Sequence, residues 1–422
     1  MNEILLIRAT GKGMTALPLG LMSIYSYLKK HGIDSRIYDA YTANISLSEM
    51  IQQMPNLKYI GISAMTIQLK NAIQIITELR KKTNAKIIIG GTHATALPNQ
   101  LTKYADHIVI GEGEVIFKEI VQNKHKNKKI IKGIPIQDLN EIPLMTSKEI
   151  KEQGLFKERE EYYIATSRGC PYNCNFCLSK EQRIPGMRYI KIDSIITQIK
   201  DIVTNLNIKR IMITDDIFII DQNRVRDFCN KIIQQKIKVQ LSGFTHAGHG
   251  NIELYKLMKK AGFYRISIGI EHGTNELLKY CGKKTTLTEI EETCRQIYTA
   301  GLVIGATYIL GNIPETNESI SATVDFAIKL HKKYNTESWF SFAQPLPGSP
   351  MFTEVKKSGK IIERDYSKWY NYSLVYIPEK VDITHIIKER ERGMRRANKF
   401  QFTTQNILYR LKEFSKLENI FK

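Results

Sequence analysis

Three of the six cysteines fall within eight residues, in the run Cys170-Pro171-Tyr172-Asn173-Cys174-Asn175-Phe176-Cys177. The other three, Cys229, Cys281 and Cys294, are isolated in helical and loop patterns, where a buried thiol is the ordinary outcome. A secreted disulfide framework would spread its cysteines through a smaller chain, so a local trio points to a metal site. The segment YYIATSRGC (162–170) predicts a strand that delivers Cys170 into a loop. Three thiolates at this spacing hold three irons of a [4Fe–4S] cluster and leave one iron open, whereas the usual four cysteines fill every iron. A zinc knuckle completed by a distant fourth ligand is the alternative.

At 422 residues the chain has room for two or three domains of roughly 100–200 residues each. Its first third alternates strands with helices. ILLIR (4–8) reads as a strand, and LGLMSIYSYLKKHG (19–32) as a helix whose apolar positions recur at three and four residues. A second strand ends at Asp39, and helix 47–54, strand 59–65, helix 68–82, strand 86–91, strand 107–114 and helix 114–122 follow. This alternation predicts a parallel, doubly wound sheet, which binds ligands outside the carboxyl ends of its strands at the topological switch point. The loops there read Pro18-Leu19-Gly20, Ser63-Ala64-Met65-Thr66, Gly90-Gly91-Thr92-His93-Ala94-Thr95 and Gly111-Glu112-Gly113-Glu114. Glycine pairs let a backbone approach a flat or anionic ligand, and Ser and Thr give it short hydrogen bonds. Singly, each loop is ordinary turn chemistry. The basic run 123–129 is a solvated loop or helix end, and IIKGIPIQDLNEIPLM (130–145) has the Pro and polar content of a linker.

Beyond the cysteines, strands are expected at 210–216, 238–244, 265–271, 304–311 and 338–345, separated by helices 222–234, 252–260, 287–300 and 317–333. With the strand before Cys170 they predict a six-stranded partial barrel, whose active residues sit at the carboxyl ends of its strands. The tail holds WYNYSLVY (369–376) and a basic helical stretch at 388–402, which reads as a packing helix with a solvated charged face.

The C-x3-C-x2-C pattern resembles the signature of radical S-adenosylmethionine (SAM) enzymes, over about residues 160–350. Together and in order, LPLGL, GISA, GGTHAT and GEGE resemble the cobalamin-binding domain found ahead of many of those enzymes, over about residues 1–125. The resemblance implies an α/β chain in four parts. These are a doubly wound, Rossmann-like cobalamin-binding domain (1–130), a linker (131–158), a partial (β/α)6 radical SAM barrel (159–360) and a helical extension (361–422). Cobalamin would then lie against Leu19, Gly20, Ser63, Thr66, Gly90, Gly91, His93, Gly111 and Glu112. Some cobalamin domains ligate cobalt from below with a His in an Asp-x-His-x-x-Gly loop, a spacing that does not occur here. Asp106 and His107 are adjacent, and His107 reads as an ordinary edge residue.

For SAM, the resemblance implies Tyr172 and Phe176 in the cysteine loop, the latter against adenine, and Asp215 and Asp216 near the amino end. Glu271, in Gly269-Ile270-Glu271-His272-Gly273, matches a GIESG-type segment that hydrogen-bonds the ribose, with His272 in place of Ser. Ile309, Gly311 and Pro314 belong to an ILGLPGET-type turn near adenine, in which Asn312 and Ile313 replace Leu and alter the Pro-Gly order. Pro345–Pro350 resembles the PxPGTP segment that ends the barrel, and His246 stands where relatives commonly have Arg.

The implied activity is that of a cobalamin-dependent radical SAM methyltransferase. Cob(I)alamin takes a methyl cation from one SAM, giving methylcobalamin. The reduced cluster cleaves a second SAM to a 5′-deoxyadenosyl radical, which abstracts hydrogen from an unactivated carbon, and the substrate radical collects the methyl from cobalt. Its partners would be a small-molecule or peptide substrate and an electron donor such as flavodoxin or ferredoxin. The first alternative is a B12-dependent radical cyclase or ring-rearranging enzyme without methyl transfer. A tRNA methylthiotransferase carries further cysteines in its N-terminal domain, and none precedes Cys170 here. A non-catalytic corrinoid-binding protein has no need of an open iron.

Composition narrows the class. With 42% hydrophobic and 25% charged residues the chain is globular, neither disordered nor fibrous. No stretch approaches the roughly 20 apolar residues of a membrane span, and MNEILLIRATGKG makes a poor signal peptide, so a cytoplasmic location is expected. A net charge of +20 would suit nucleic acid, but Lys, Ile and Asn are abundant throughout, as an AT-rich genome dictates, and nucleic acid is not favoured.

Overall fold

The computed structural model describes residues 3–10, 16–156, 161–178, 186–358 and 361–398. Strands β1 (Ile4–Arg8), β2 (Arg36–Asp39), β3 (Tyr59–Ser63), β4 (Lys86–Gly90), β5 (His107–Ile110) and β6 (Ile130–Lys132) form one parallel sheet in the order β2-β1-β3-β4-β5-β6. Helices α1 (Leu19–Lys30), α2 (Leu47–Gln52), α3 (Leu69–Lys82), α4 (Thr92–Ala96) and α5 (Glu114–Val121) connect the strands. Alternation along each strand divides the apolar side chains between two cores. Leu6, Ile88 and Val109 join Leu21, Tyr25, Phe117 and Ile120 of α1 and α5 on one face. Ile7, Ile60, Ile62 and Ile89 join Met50, Ala72 and Ile76 of α2 and α3 on the other. A sheet covered on both faces explains the unbroken β-branched runs. Strand order reverses between β1 and β3, and the loops that follow these strands open at that point.

Two features differ from the sequence expectation here. Ile130–Lys132, at the start of the expected linker, is a strand of the sheet, with Ile131 opposite Val109. That makes β6 the sheet's edge and places His107 in an interior strand. His107 is 4% exposed and its Nδ1 lies 2.7 Å from the carbonyl of Lys128. The remaining linker is packed too, since Leu139, Ile142, Met145 and Ile150 are buried and Thr146 caps α6 (Ser147–Glu152).

The second sheet begins with β7 (Tyr162–Ile164), which stops short of the cysteines. Ser167–Arg168 (β8) instead pairs antiparallel with Arg188–Tyr189 (β9). Strands β10 (Arg210–Ile213), β11 (Gln240–Thr245), β12 (Phe263–Glu271), β13 (Val303–Leu310) and β14 (Glu337–Phe342) then give a parallel sheet in the order β14-β13-β12-β11-β10-β7. Helices α7 (Ile192–Asn205), α8 (Gln222–Gln234), α9 (Ile252–Lys260), α10 (Asn275–Tyr280), α11 (Leu287–Thr299) and α12 (Asn317–Tyr334) alternate with these strands. Helix α7, absent from the elements expected above, buries Ile192, Ile195, Ile196, Ile199 and Ile202 along one face. After α13 (Pro350–Ser358), α14 (Ile383–Arg396) lies on α12 and β14. A Cβ on Gly393 would sit 2.7 Å from the Phe340 ring, so glycine permits that approach. Of the basic stretch expected at 388–402, residues 399–402 lie outside the described residues, as does the rest of the tail. One continuous apolar cluster runs from the inner face of the first sheet into the second.

Candidate active site

A cavity of about 340 Å³ lies between the two sheets, at the carboxyl ends of β1, β3, β4 and β5. Leu6, Gly61, Ile88, Val109 and Phe117 form its floor, and the loop residues Leu19, Gly20, Ser63, Gly90, Gly91, Gly111 and Glu112 its rim. Its roof comes from the other half of the molecule, from Leu139 and Ile142 through Tyr162–Ala165 to Ser167, Arg168 and Gln198. Two glycines here are dictated by space. A Cβ on Gly61 would lie 2.5 Å from the Phe117 ring, and one on Gly91, at φ +98°, would lie 2.6 Å from the Ala64 carbonyl oxygen. On the rim, Gly20 and Gly111 have open space where a Cβ would stand, which leaves room above this apolar floor for a broad flat ligand such as a corrin ring. Of the nine residues expected at cobalamin, Thr66 and His93 do not line the cavity. His93 is fully buried, with Nδ1 3.3 Å from Thr66 Oγ1, Nε2 3.3 Å from Gln100 and its ring edge-on to Tyr366. Burial pushes its pKa down, and it serves as core.

Charged residues fasten the rim to the roof. Arg168 pairs with Glu114 at 2.7 Å and Glu112 at 3.2 Å, and also donates to Ser23 Oγ at 2.7 Å. Arg188, on β9, makes a second ion pair to Glu112. Burial alone would raise the Glu112 carboxyl, but the hydrogen bond from Arg188 and the charges of both arginines hold it below the usual carboxylate range. Neither Arg168, Arg188 nor Glu114 was among the sequence-expected site residues. Their neighbours in sequence give no hint, because both partners of each pair come from different halves of the chain.

The cysteine loop follows Arg168 directly. Gly169 turns it at φ +108°, and a Cβ there would run into the Gly186 carbonyl. Cys170, Cys174 and Cys177 are partly exposed, whereas Cys229, Cys281 and Cys294 are fully buried. The loop is held by backbone contacts. Asn175 N donates to the Cys281 carbonyl at 3.0 Å, Met351 N donates to the Asn175 carbonyl at 3.0 Å, and a Cβ on Gly282 would lie 2.9 Å from the Asn173 carbonyl oxygen. Burial raises the Cys174 thiol to about 11, against the opposing charge of Lys283, so a bound metal would be needed to hold it as thiolate. Among the described residues no three His, Cys, Asp or Glu side chains close around a single ion, the arrangement a zinc knuckle requires. Accessible thiols on a backbone-fixed loop suit a cluster that takes one thiolate per iron.

The residues expected at SAM divide into three groups. Phe176 and Ile309, like Ile313 and Leu346, each pack against one apolar cluster that includes Met351 and Tyr376. Glu271 stands at the end of β12 with φ +70°, and Lys283 Nζ lies 3.2 Å from its Oε1 while also donating to the Gly269 carbonyl. Gly311, at φ +91°, opens a turn in which Glu315 Oε2 accepts from Gly311 N and Asn312 N, both at 2.6 Å. Tyr172 stacks on His246 at 4.0 Å, and its hydroxyl lies 2.6 Å from His249 Nε2.

The third group faces elsewhere. Asp215 is 2% exposed and accepts from Thr166 N at 2.6 Å, Thr166 Oγ1 at 2.5 Å and Ser167 Oγ at 2.6 Å. Burial raises its carboxyl in spite of these bonds. Asp215 therefore ends β7 by drawing Thr166 and Ser167 aside, and so aims the entry to the cysteine loop. Asp216 and Pro314 are exposed. Lys283, only 7% exposed beside Glu271, escapes sequence reasoning because a lysine in a Lys-rich sequence carries no signal of burial.

Comparison with known proteins agrees with this arrangement. Residues 7–121 match the B12 binding domain and residues 164–327 the radical SAM superfamily. An uncharacterized methyltransferase of Pyrococcus horikoshii is 26% identical over 384 residues, covering 85% of this chain and 82% of its own. The anaerobic magnesium-protoporphyrin IX monomethyl ester cyclase of Cereibacter sphaeroides is 26% identical over 82% of this chain and 61% of its own length. Among solved structures, the radical S-adenosylmethionine methyltransferase TsrM from Kitasatospora setae, with cobalamin and a [4Fe–4S] cluster bound, shares the fold. Its TM-score is 0.69 at 16% identity, over 93% of this chain and 82% of that one. The chain thus carries a B12 binding domain followed by a radical SAM domain, in the fold that TsrM shows with cobalamin and a [4Fe–4S] cluster bound.

Proposed function

We propose that this enzyme is a cobalamin-dependent methyltransferase that alkylates an unactivated carbon of a small molecule by radical chemistry. The observation that carries the reading is the shared cavity whose glycine-lined floor belongs to the B12-binding half and whose roof includes Arg168, two residues before the first cysteine. When bound, the corrinoid supplies a methyl carrier, and the cluster with SAM supplies radical initiation. The protein's share is positioning. Leu19, Gly20, Ser63, Gly90, Gly91, Gly111 and Glu112 would hold the corrin, and Cys170, Cys174 and Cys177 the cluster. Phe176 and Ile309 offer an apolar shelf to the adenine, and Glu271, fixed by Lys283, faces the ribose. The Arg168 ion pairs hold the corrin site and the cysteine loop at a set distance, which is what transfer between two cofactors requires.

The electron donor in this reading is a flavodoxin or ferredoxin and the location is cytoplasmic, where thiolates and a low-potential cluster stay reduced. Among the described residues no helix is long and apolar enough to cross a membrane. A second reading, ring closure without methyl transfer, draws on the cyclase relative, which is equally identical at 26% but over 61% of its own length against 82% for the methyltransferase. The test is anaerobic reconstitution with iron, sulfide and hydroxocobalamin, reduction, and addition of methyl-labelled SAM. Methyl transfer predicts S-adenosylhomocysteine together with label on protein-bound corrin. Formation of 5′-deoxyadenosine with neither would overturn it in favour of the cyclase reading.

A further inference from the structure

Two positions at which this chain departs from the pattern it resembles, His272 for Ser and Asn312 for Leu, are both fully buried and lie side by side. Asn312 Nδ2 is 3.5 Å from His272 Nε2. The same Nδ2 donates to Cys281 Sγ at 3.0 Å. The carbonyl of Cys281 in turn accepts from Asn175 N, between two cysteines of the cluster loop, at 3.0 Å. On its other side Asn312 donates its N–H to Glu315 Oε2 at 2.6 Å, and its Oδ1 accepts from Ile313 N at 2.9 Å. His272 Nδ1 stands 3.7 Å from Glu315 Oε1, and both atoms are buried with no hydrogen-bond partner among the described residues. His272 follows Glu271 directly, and Asn312 follows Gly311.

Buried polar groups in mutual contact are satisfied together or not at all. Leu at 312 would set methyl groups against the imidazole and leave the Cys281 thiol without its donor. Ser at 272 would open a gap beside Asn312 and leave the Glu315 carboxylate facing nothing. We propose that His272 and Asn312 form one positioning unit, which ties the turn 311–316 to the cluster loop through Cys281 and so fixes SAM against the cluster. The inference rests on the reading that SAM binds at this turn.

The test is a double-variant cycle, His272→Ser, Asn312→Leu and both together, in reconstituted protein. It reads SAM affinity by equilibrium dialysis and the electron paramagnetic resonance spectrum of the reduced cluster with and without SAM. Each single variant should weaken SAM binding about tenfold or more and alter the SAM-induced spectral change, and the double variant should bind SAM no more weakly than the worse single variant, because both changes break one path. Losses that multiply in the double variant, or single variants that bind SAM as the parent does, would overturn the proposal. Should a single variant fail to fold, Cys281→Ala interrupts the same path, and it should weaken SAM binding with iron retained. Parental SAM affinity in Cys281→Ala would refute the coupling. An unaltered protein that holds its cluster yet binds no SAM would remove the underlying reading, and the inference with it.

Discussion

Replacing Arg168 by Met separates the two halves of the molecule electrostatically while keeping most of the side-chain volume. The guanidinium serves Glu114, whose side chain is 4% exposed, and Glu112, at 16%. Glu112 keeps Arg188, so the principal orphan is Glu114, left with the hydroxyl of Ser23 at 2.6 Å. Breaking a fully buried pair costs about 3–5 kcal/mol. Arg168 itself is 29% exposed and solvent already screens it, so the expected loss is about 2–3 kcal/mol, roughly 30–150-fold in the folding equilibrium. Urea unfolding followed by circular dichroism measures this, and cobalamin retained after desalting reports whether rim and roof still close. Adding Glu114→Gln to Arg168→Met should recover about half the loss, because a neutral amide is cheaper to bury than a lone carboxylate. An Arg168→Met protein that unfolds with the parent and keeps its cobalamin would refute the clamp, and so would a second substitution that deepens the loss.

Three other outcomes follow from the same geometry. Cys174→Ala should lose its iron on reconstitution, whereas Cys281→Ala should retain it, as iron analysis after gel filtration will show. Asp215→Asn should weaken the fastening of Thr166 and Ser167 by about 1–3 kcal/mol and lower cluster incorporation, with Asp216→Asn close to the parent; equal effects would mean that Asp215 does not aim the loop. His246 is 4% exposed, its Nδ1 lies 2.9 Å from the Ala247 carbonyl, and burial followed by the charge of Lys283 pushes its pKa down to about 4. The unfolded chain takes up this proton near 6.5, so the native state loses stability as pH falls from there toward 4, by about 2–3 kcal/mol. His246→Gln should remove that part of the slope in urea midpoints measured from pH 7 to 4.5, and an unchanged slope would assign it to other groups.

The elements most legible in the sequence are those whose pattern is local. Most strands of the first sheet are short apolar runs such as KIIIG, and the loops that follow them mark out the cavity rim. Helix α7 is equally legible in its isoleucines, spaced three and four apart, and only its start at Ile192, which carries no side-chain cap, is hidden. Strand β6 is three residues long and pairs only because β5 presents an open edge to it. Site residues that act through distant partners are hidden. Asp215 shows an acid after a strand, but that it turns toward Thr166 is a fact about residues 49 positions away. Lys283 and Arg168 look like any other cation in a chain with 62 of them, and only the carboxylates they meet in the fold, Glu271 for one and Glu112 and Glu114 for the other, distinguish them.

The cavity's floor is complete once the chain has been made as far as Lys132, while its roof needs residues up to Gln198 and the sheet that carries them. A ribosome therefore releases the two walls at different times, with an interval during which the floor is open to anything as broad as a corrin. Once the second half has docked through the continuous core and the Arg168 ion pairs, the same ligand reaches the floor past a roof that covers part of it. The moment at which cobalamin is supplied then bears on how fast the site fills. Cells fed the vitamin during synthesis should yield loaded enzyme, and purified protein exposed to it afterwards should fill more slowly.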